Sequence, residues 1–347
     1  MTNLKGILFS FILLTITYSG FSQTALEYME KITAETKKIQ KDMWDYTNAV
    51  SHGKSARKVE KRRAELLQTS RSALNRVSNM QAFDGSAAYR DSVVSFLNIN
   101  YLVLKEDYAK IVDMEEIAEK SYDNMEAYLM AQEAANRKMR ESGEMVGSQH
   151  AIFAAKNGIT LITNEDDELA KKMKIASEVY DYYNKVYLIF FKSYIQESYL
   201  MAAINNKDVS GIEQNKDALA NTANEGLDLL RDIKSFKNDN TIVTACNNML
   251  KFYKDEAENK ITAITDYFLK TENFNTVNES FGQIKEKNRT QEDVDKYNNA
   301  VNEMNASVDA YNKANEAMNK DRGTYLDAWN KAVAKFTDKH VPSGKAK

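Results

Sequence analysis

The sequence predicts an all-α protein of long antiparallel helices in an elongated, coiled-coil-like bundle. Three observations predict it. The 347 residues include a single proline, Pro342, and 12 glycines, so the residues that most often interrupt helices are scarce. Apolar residues recur at spacings of three, four and seven, which lines them along one helical face. The only cysteine, Cys246, excludes an intramolecular disulfide, so the fold must hold by packing.

Residues 1–22 read as a signal peptide. Lys5 supplies a positive start, and Gly6 to Tyr18 an apolar run shorter than the roughly 20 residues a bilayer span needs. Gly20 and Ser22 put small residues where cleavage before Gln23 requires them. Export to the periplasm, cell surface or medium is therefore expected. A lipoprotein is not, because lipid attachment needs a cysteine just after the apolar run. No later stretch approaches 18 apolar residues.

A first helical unit is expected over residues 23–142. Its first helix carries Leu26, Met29, Ile32, Ile39, Met43, Tyr46 and Val50 as one stripe and ends at Ser51 to Ser55. The basic run Lys54, Arg57, Lys58, Lys61, Arg62, Arg63 and Arg71 is interleaved with Glu60 and Glu65, as on a solvated face. At an offset of 153 residues the chain resembles itself: Tyr46 pairs with Tyr199, Ala49 with Ala202, Leu66 with Leu219, Phe83 with Phe236, Leu97 with Leu250 and Ile111 with Ile264. Two turns coincide as well, Ser51–Ser55 with Ile204–Asp208 and Phe83–Ser86 with Phe236–Asp239. The sequence therefore predicts an internal duplication of a helical hairpin unit.

Residues 143–164 are expected to be an apolar, glycine-containing connector. Asn157-Gly158 lies between two apolar runs, and Asn-Gly suits a type I′ turn, so a small β-hairpin is predicted at 151–163. Isolated hairpins are marginal in water. The apolar residues Ile152, Phe153, Ile159, Leu161 and Ile162 are accordingly the candidate membrane or partner contacts. Asn164 followed by Glu165-Asp166-Asp167-Glu168 suits the capped start of the next helix.

A second unit is expected over residues 165–290. There Cys246 keeps helical register with Ile242, Met249 and Leu250, as a buried inert thiol does. Tyr180, Tyr182, Tyr183, Tyr187, Tyr194 and Tyr199 suit a closed helix seam. Over 291–338 a near-heptad repeat of Val294, Tyr297, Val301, Met304, Val308, Tyr311, Met318, Tyr325, Trp329 and Phe336 predicts one helix about 70 Å long. Asn298, Asn302, Asn305, Asn312 and Asn319 flank that stripe. Residues 339–347 are expected to be a disordered tail.

Motifs of enzyme chemistry are missing. The three histidines, His52, His150 and His340, belong to no metal-ligand spacing, and no phosphate loop, nucleophile elbow or Cys-x-x-Cys occurs. No catalytic residue, cofactor or metal is assigned. A net charge of −3 and a pI near 5.9 argue against a nucleic-acid partner.

Two resemblances bear on function. Long helices joined by a short apolar tongue, here residues 143–163, resemble helical pore-forming toxins, which would imply a membrane-active protein. The C-terminal pattern Tyr297-Asn298, Asn305, Tyr311-Asn312, Asn315, Trp329, Phe336 and His340-Val341-Pro342 is similar to that of uncharacterised bacterial secreted or surface helical proteins. That likeness implies a surface or periplasmic location and no known activity. The expectation is an exported, non-enzymatic binding or scaffolding protein whose partner is a protein or an envelope component. The alternative is the pore-forming reading.

Overall fold

The computed structural model describes residues 23–52, 55–161 and 168–344, and these form ten α-helices with only isolated β-bridges. The chain divides into two compact units, one of residues 1–184 and 335–347, the other of residues 185–334. The all-α class follows the apolar periodicity directly.

In the first unit α1 (Ala25–Ser51) packs on α2 (Ala56–Ser78), α2 on α3 (Ala88–Leu102), and α5 (Tyr122–Lys156) on both α3 and α4 (Tyr108–Ala118). A capping box starts α1: Thr24 Oγ1 accepts from the Glu27 N–H at 3.2 Å, and Glu27 Oε2 accepts from the Thr24 N–H at 2.8 Å. The predicted stripe then turns inward. Met29 and Ile32 join Ala73 and Val77 of α2, Val93 and Leu97 of α3, and Val146 and Ala154 of α5 in one core cluster.

The predicted hairpin at 151–163 is not formed. Gly143 to Lys156 belong to α5, which therefore runs well past the expected end of the first unit at 142. Asn157 is the C-cap and Gly158, at φ 66°, the left-handed residue after it. The N–H of Ile159 reaches Ala154 O at 2.9 Å and that of Gly158 reaches Ala155 O at 3.3 Å, the bond pair of a Schellman motif. Asn-Gly misleads for a physical reason: a type I′ turn and a helix C-terminus both want a residue at positive φ. Val146, His150 and Ala154, all buried, continue the helical period through the supposed hairpin. The predicted cap and acidic run at Asn164 to Asp167 lie outside the described residues, as do residues 1–22.

The second unit holds α6 (Glu168–Asn205) from Lys185 on, α7 (Val209–Asp232), α8 (Thr241–Asp255), α9 (Ile261–Gln283) and α10 (Gln291–His340) as far as Ala334. Aromatic side chains at heptad spacings seat α10. Trp329 stacks on Phe190 of α6 at 4.4 Å, Tyr325 on Phe252 of α8 at 5.5 Å, Tyr311 meets Tyr267 of α9 at 4.5 Å and Tyr297 stacks on Phe281 at 4.6 Å. Cys246 is fully buried, and burial raises its thiol pKa, so it is inert as predicted.

Helix boundaries recur between the two units. α3 is followed by a π-turn at Val103–Asp107 and then α4; α8 is followed by a π-turn at Glu256–Lys260 and then α9, each starting 153 residues later. The preceding turns match in conformation: Asp84 and Gly85 at φ 49° and 71°, Lys237 and Asn238 at 49° and 64°.

The tail from 339 is ordered through Gly344, contrary to expectation. α10 continues to His340, Val341 is 2 % exposed, and the Trp44 indole N–H donates to Gly344 O at 2.8 Å. Val341 is held by burial of apolar surface, which composition at a terminus does not reveal. Replacing Gly158 by Ala is expected to lower stability by about 1 kcal/mol in chemical denaturation without loss of helicity, since a Cβ there meets no atom within 4 Å and only the positive φ is strained.

Candidate functional site

The solvent end of α5 carries an aromatic cluster. Phe153 stacks on Tyr89 at 4.8 Å and on Tyr28 at 5.9 Å, and meets Phe83 edge-on at 5.4 Å. The isolated bridge between Phe83 and Ser86 holds Phe83 there. One turn before Phe153, His150 is buried, with its Nδ1 2.8 Å from the Tyr89 hydroxyl. Burial lowers the His150 pKa to about 4 and raises that of the Tyr89 phenol. A neutral imidazole therefore shares a hydrogen bond at Nδ1 with the un-ionised Tyr89 hydroxyl across the physiological range.

Beside this cluster opens a cleft of about 60 Å³ lined by Phe83, Tyr89, Ile152, Phe153 and Lys156. Sites for whole small molecules measure roughly 300–1,000 Å³, so this one fits a side-chain tip. Ile152 stands at its edge 58 % exposed, and Met145, one heptad earlier on α5, is 59 % exposed. Of the residues predicted as contacts, Ile152 and Phe153 meet at the cleft. Ile159 and Leu161 instead pack against the core cluster. Ile162 lies outside the described residues.

A second cluster, in the second unit, escaped the sequence reading. Glu256 opens the π-turn and is fully buried, Glu197 of α6 is 4 % exposed, and Arg322 of α10 lies between them. Arg322 Nη2 donates to Glu256 Oε1 at 2.6 Å, and Arg322 Nε donates to Glu197 Oε1. Lys260 reaches Asp321 at 2.8 Å and Asp255 at 3.2 Å alongside. Glu256 Oε2 and the Tyr253 hydroxyl have no hydrogen-bond partner among the described residues. Burial and then the charge of Glu197 push the Glu256 pKa up to about 8, against the pull of Arg322. Burial also raises that of Glu197. At neutral pH the cluster keeps one proton and is close to neutral in charge.

A signal for this cluster does exist in the sequence. At the 153-residue offset Glu197 stands opposite Trp44 and Glu256 opposite Val103, so acids occupy positions that are apolar and buried in the first unit. Among the described residues no group of His, Cys, Asp and Glu is placed to hold a metal ion. No family model, curated protein or solved structure matches the chain.

Tyr89→Phe removes the hydroxyl facing His150 and is expected to cost about 1 kcal/mol at pH 7, measured by denaturant titration. The His150 pKa is depressed in the folded state, so the stability that depends on a neutral ring is complete above about 6.5 and is lost as pH falls toward 4. Its ring resonances in NMR should accordingly hold the neutral shift at pH 5.5.

Proposed function

We propose that the protein is an exported, non-enzymatic helical binding or scaffolding protein of the bacterial envelope or surface, which takes an apolar side chain of a protein partner at the end of α5. The observation that carries this reading is the exposed Ile152 at the edge of an aromatic-walled cleft too small for a whole metabolite. Rigid aromatic walls around a small depression suit an inserted anchor residue, the usual centre of a protein interface. Met145 extends the apolar face along the same helix, and Lys156 adds a cation at its end. The start of the chain supports export through the features of a signal peptide.

We also read the recurrence of turn, helix, π-turn and helix at one fixed offset as an internal duplication. On this reading the two copies share a scaffold and differ in what they present. The aromatic cleft belongs to the first copy, and Leu229 and Asn238 of the second stand where Arg76 and Gly85 stand in the first.

The binding reading is preferred here to the membrane-active alternative. Of the apolar residues that suggested a tongue, Val146 and Ala154 are buried in the core and Phe153, Ile159 and Leu161 pack against it. No helix among the described residues is long and apolar enough to cross a membrane. A photo-crosslinking amino acid at Lys156, in cells producing the full chain, is expected to trap a discrete protein adduct. Met145→Asp with Ile152→Asp, both at exposed positions, should reduce its yield at least roughly tenfold. An adduct unchanged in that double variant would refute the site.

A further inference from the structure

The carboxylate pair of the second unit coincides with a helical irregularity. Glu256 is the first residue of the π-turn Glu256–Lys260, where the i→i+4 pattern widens between α8 and α9. Single π-turns inside α-helices often mark functional positions, and local backbone rearrangement is easier there than in a regular helix. Three elements supply the cluster: Glu197 comes from α6, Glu256 from the turn itself and Arg322 from α10. Other titratable groups surround them. Tyr253 lies one turn earlier on α8, Tyr194 faces Tyr253 from α6, and Lys260 bridges Asp255 and Asp321. α7 also packs on the π-turn but turns its Glu213 to Lys216 and Thr265.

We propose that Glu197, Glu256 and Arg322 form a proton-operated latch: one proton on the carboxylate pair holds α10 against the π-turn, and its loss frees Glu256–Lys260 and the neighbouring stretch of α10. The charge count dictates the two states. With one proton the pair carries a single negative charge, matched by Arg322. When the proton leaves to solvent, two buried carboxylates face one guanidinium, and Glu256 Oε2, already without a partner among the described residues, becomes a charged buried acceptor. Neither the Tyr253 hydroxyl nor any other donor among the described residues lies within hydrogen-bond reach of Glu256 Oε2.

The direction with pH follows from the shift at Glu256. Its folded pKa, about 8, lies above the usual carboxylate value, so the folded state holds the proton more tightly than the unfolded chain does. The contribution to stability is full below about 4.5 and is lost as pH rises through 8. The first unit is a built-in control. Its π-turn Val103–Asp107 begins with an apolar, buried Val103 and has Trp44 where Glu197 stands in the second unit.

Hydrogen exchange on the protein at pH 6 and pH 9, corrected for intrinsic exchange rates, tests the latch. Protection of the amides of 256–260 should fall roughly tenfold more than that of 103–107. Glu256→Gln should abolish the excess. Infrared spectra of the wild type should show a protonated buried carboxyl band at pH 6 that disappears at pH 9. Equal loss of protection in the two turns, absence of that band at pH 6, or an excess that survives in Glu256→Gln would each overturn the proposal. The wild-type measurements decide even if the variant fails to fold.

Discussion

Packing of the half-buried aromatic stripe of α10, anchored by the buried Trp329, is the interaction on which the second unit depends. A chain without disulfides has to compensate the entropy of ordering its helices with buried surface, and aromatic residues supply the most per position. Tyr297, Tyr311 and Tyr325 recur every 14 residues, and Trp329 follows one turn later, so a single face of a 50-residue helix meets α6, α8 and α9 in turn. Past the boundary at Ala334 the same periodicity supplies Phe336 to the first unit, where it is fully buried near Tyr182. The rest of α10 is polar, which is why it can be so long and still present little apolar surface to water.

The two π-turns deserve a common physical account. A π-turn adds one residue to a helical turn and so shifts the register of everything after it by about 100°. In the first unit Leu97 before the turn and Ile111 after it are both buried. In the second unit Leu250 and Ile264 are likewise buried on either side of the turn. A residue at the start of such a turn points into the bundle, and whether that residue is Val103 or Glu256 decides whether the interior there is apolar or charged.

Much of this was legible in the sequence. The apolar spacing gave helices in the right places, α10 to within two residues at its end, and Cys246 as an inert core residue. The hairpin failed because Asn157-Gly158 satisfies two different backbone demands, and only the period of Val146, His150 and Ala154 distinguishes them. Ile152 was legible as a contact candidate because it is apolar outside that period, whereas Ile159 and Leu161 were not separable from it, since a chain leaving a Schellman cap folds back onto the helix it ends. The acid cluster stayed hidden because its three members are 59 and 66 residues apart and each, taken alone, reads as a solvated charge on a helix.

Charge is not the only way to fill a buried site between helices. Buried ion pairs are often matched or exceeded in stability by apolar side chains of similar volume, because removing charged groups from water is so unfavourable. The first unit offers the comparison within the same chain: at the 153-residue offset Trp44 and Val103 stand opposite Glu197 and Glu256, both are fully or nearly fully buried, and Val103 opens a π-turn of the same length. An apolar solution to the same packing problem was therefore available. Retaining two carboxylates and an arginine in its place gives up stability for a property that Trp44 and Val103 lack, which is a charge state that solvent protons can change. Selection for packing alone would not favour that exchange, so the charged cluster is better explained by a hold on α10 that responds to protons than by packing alone.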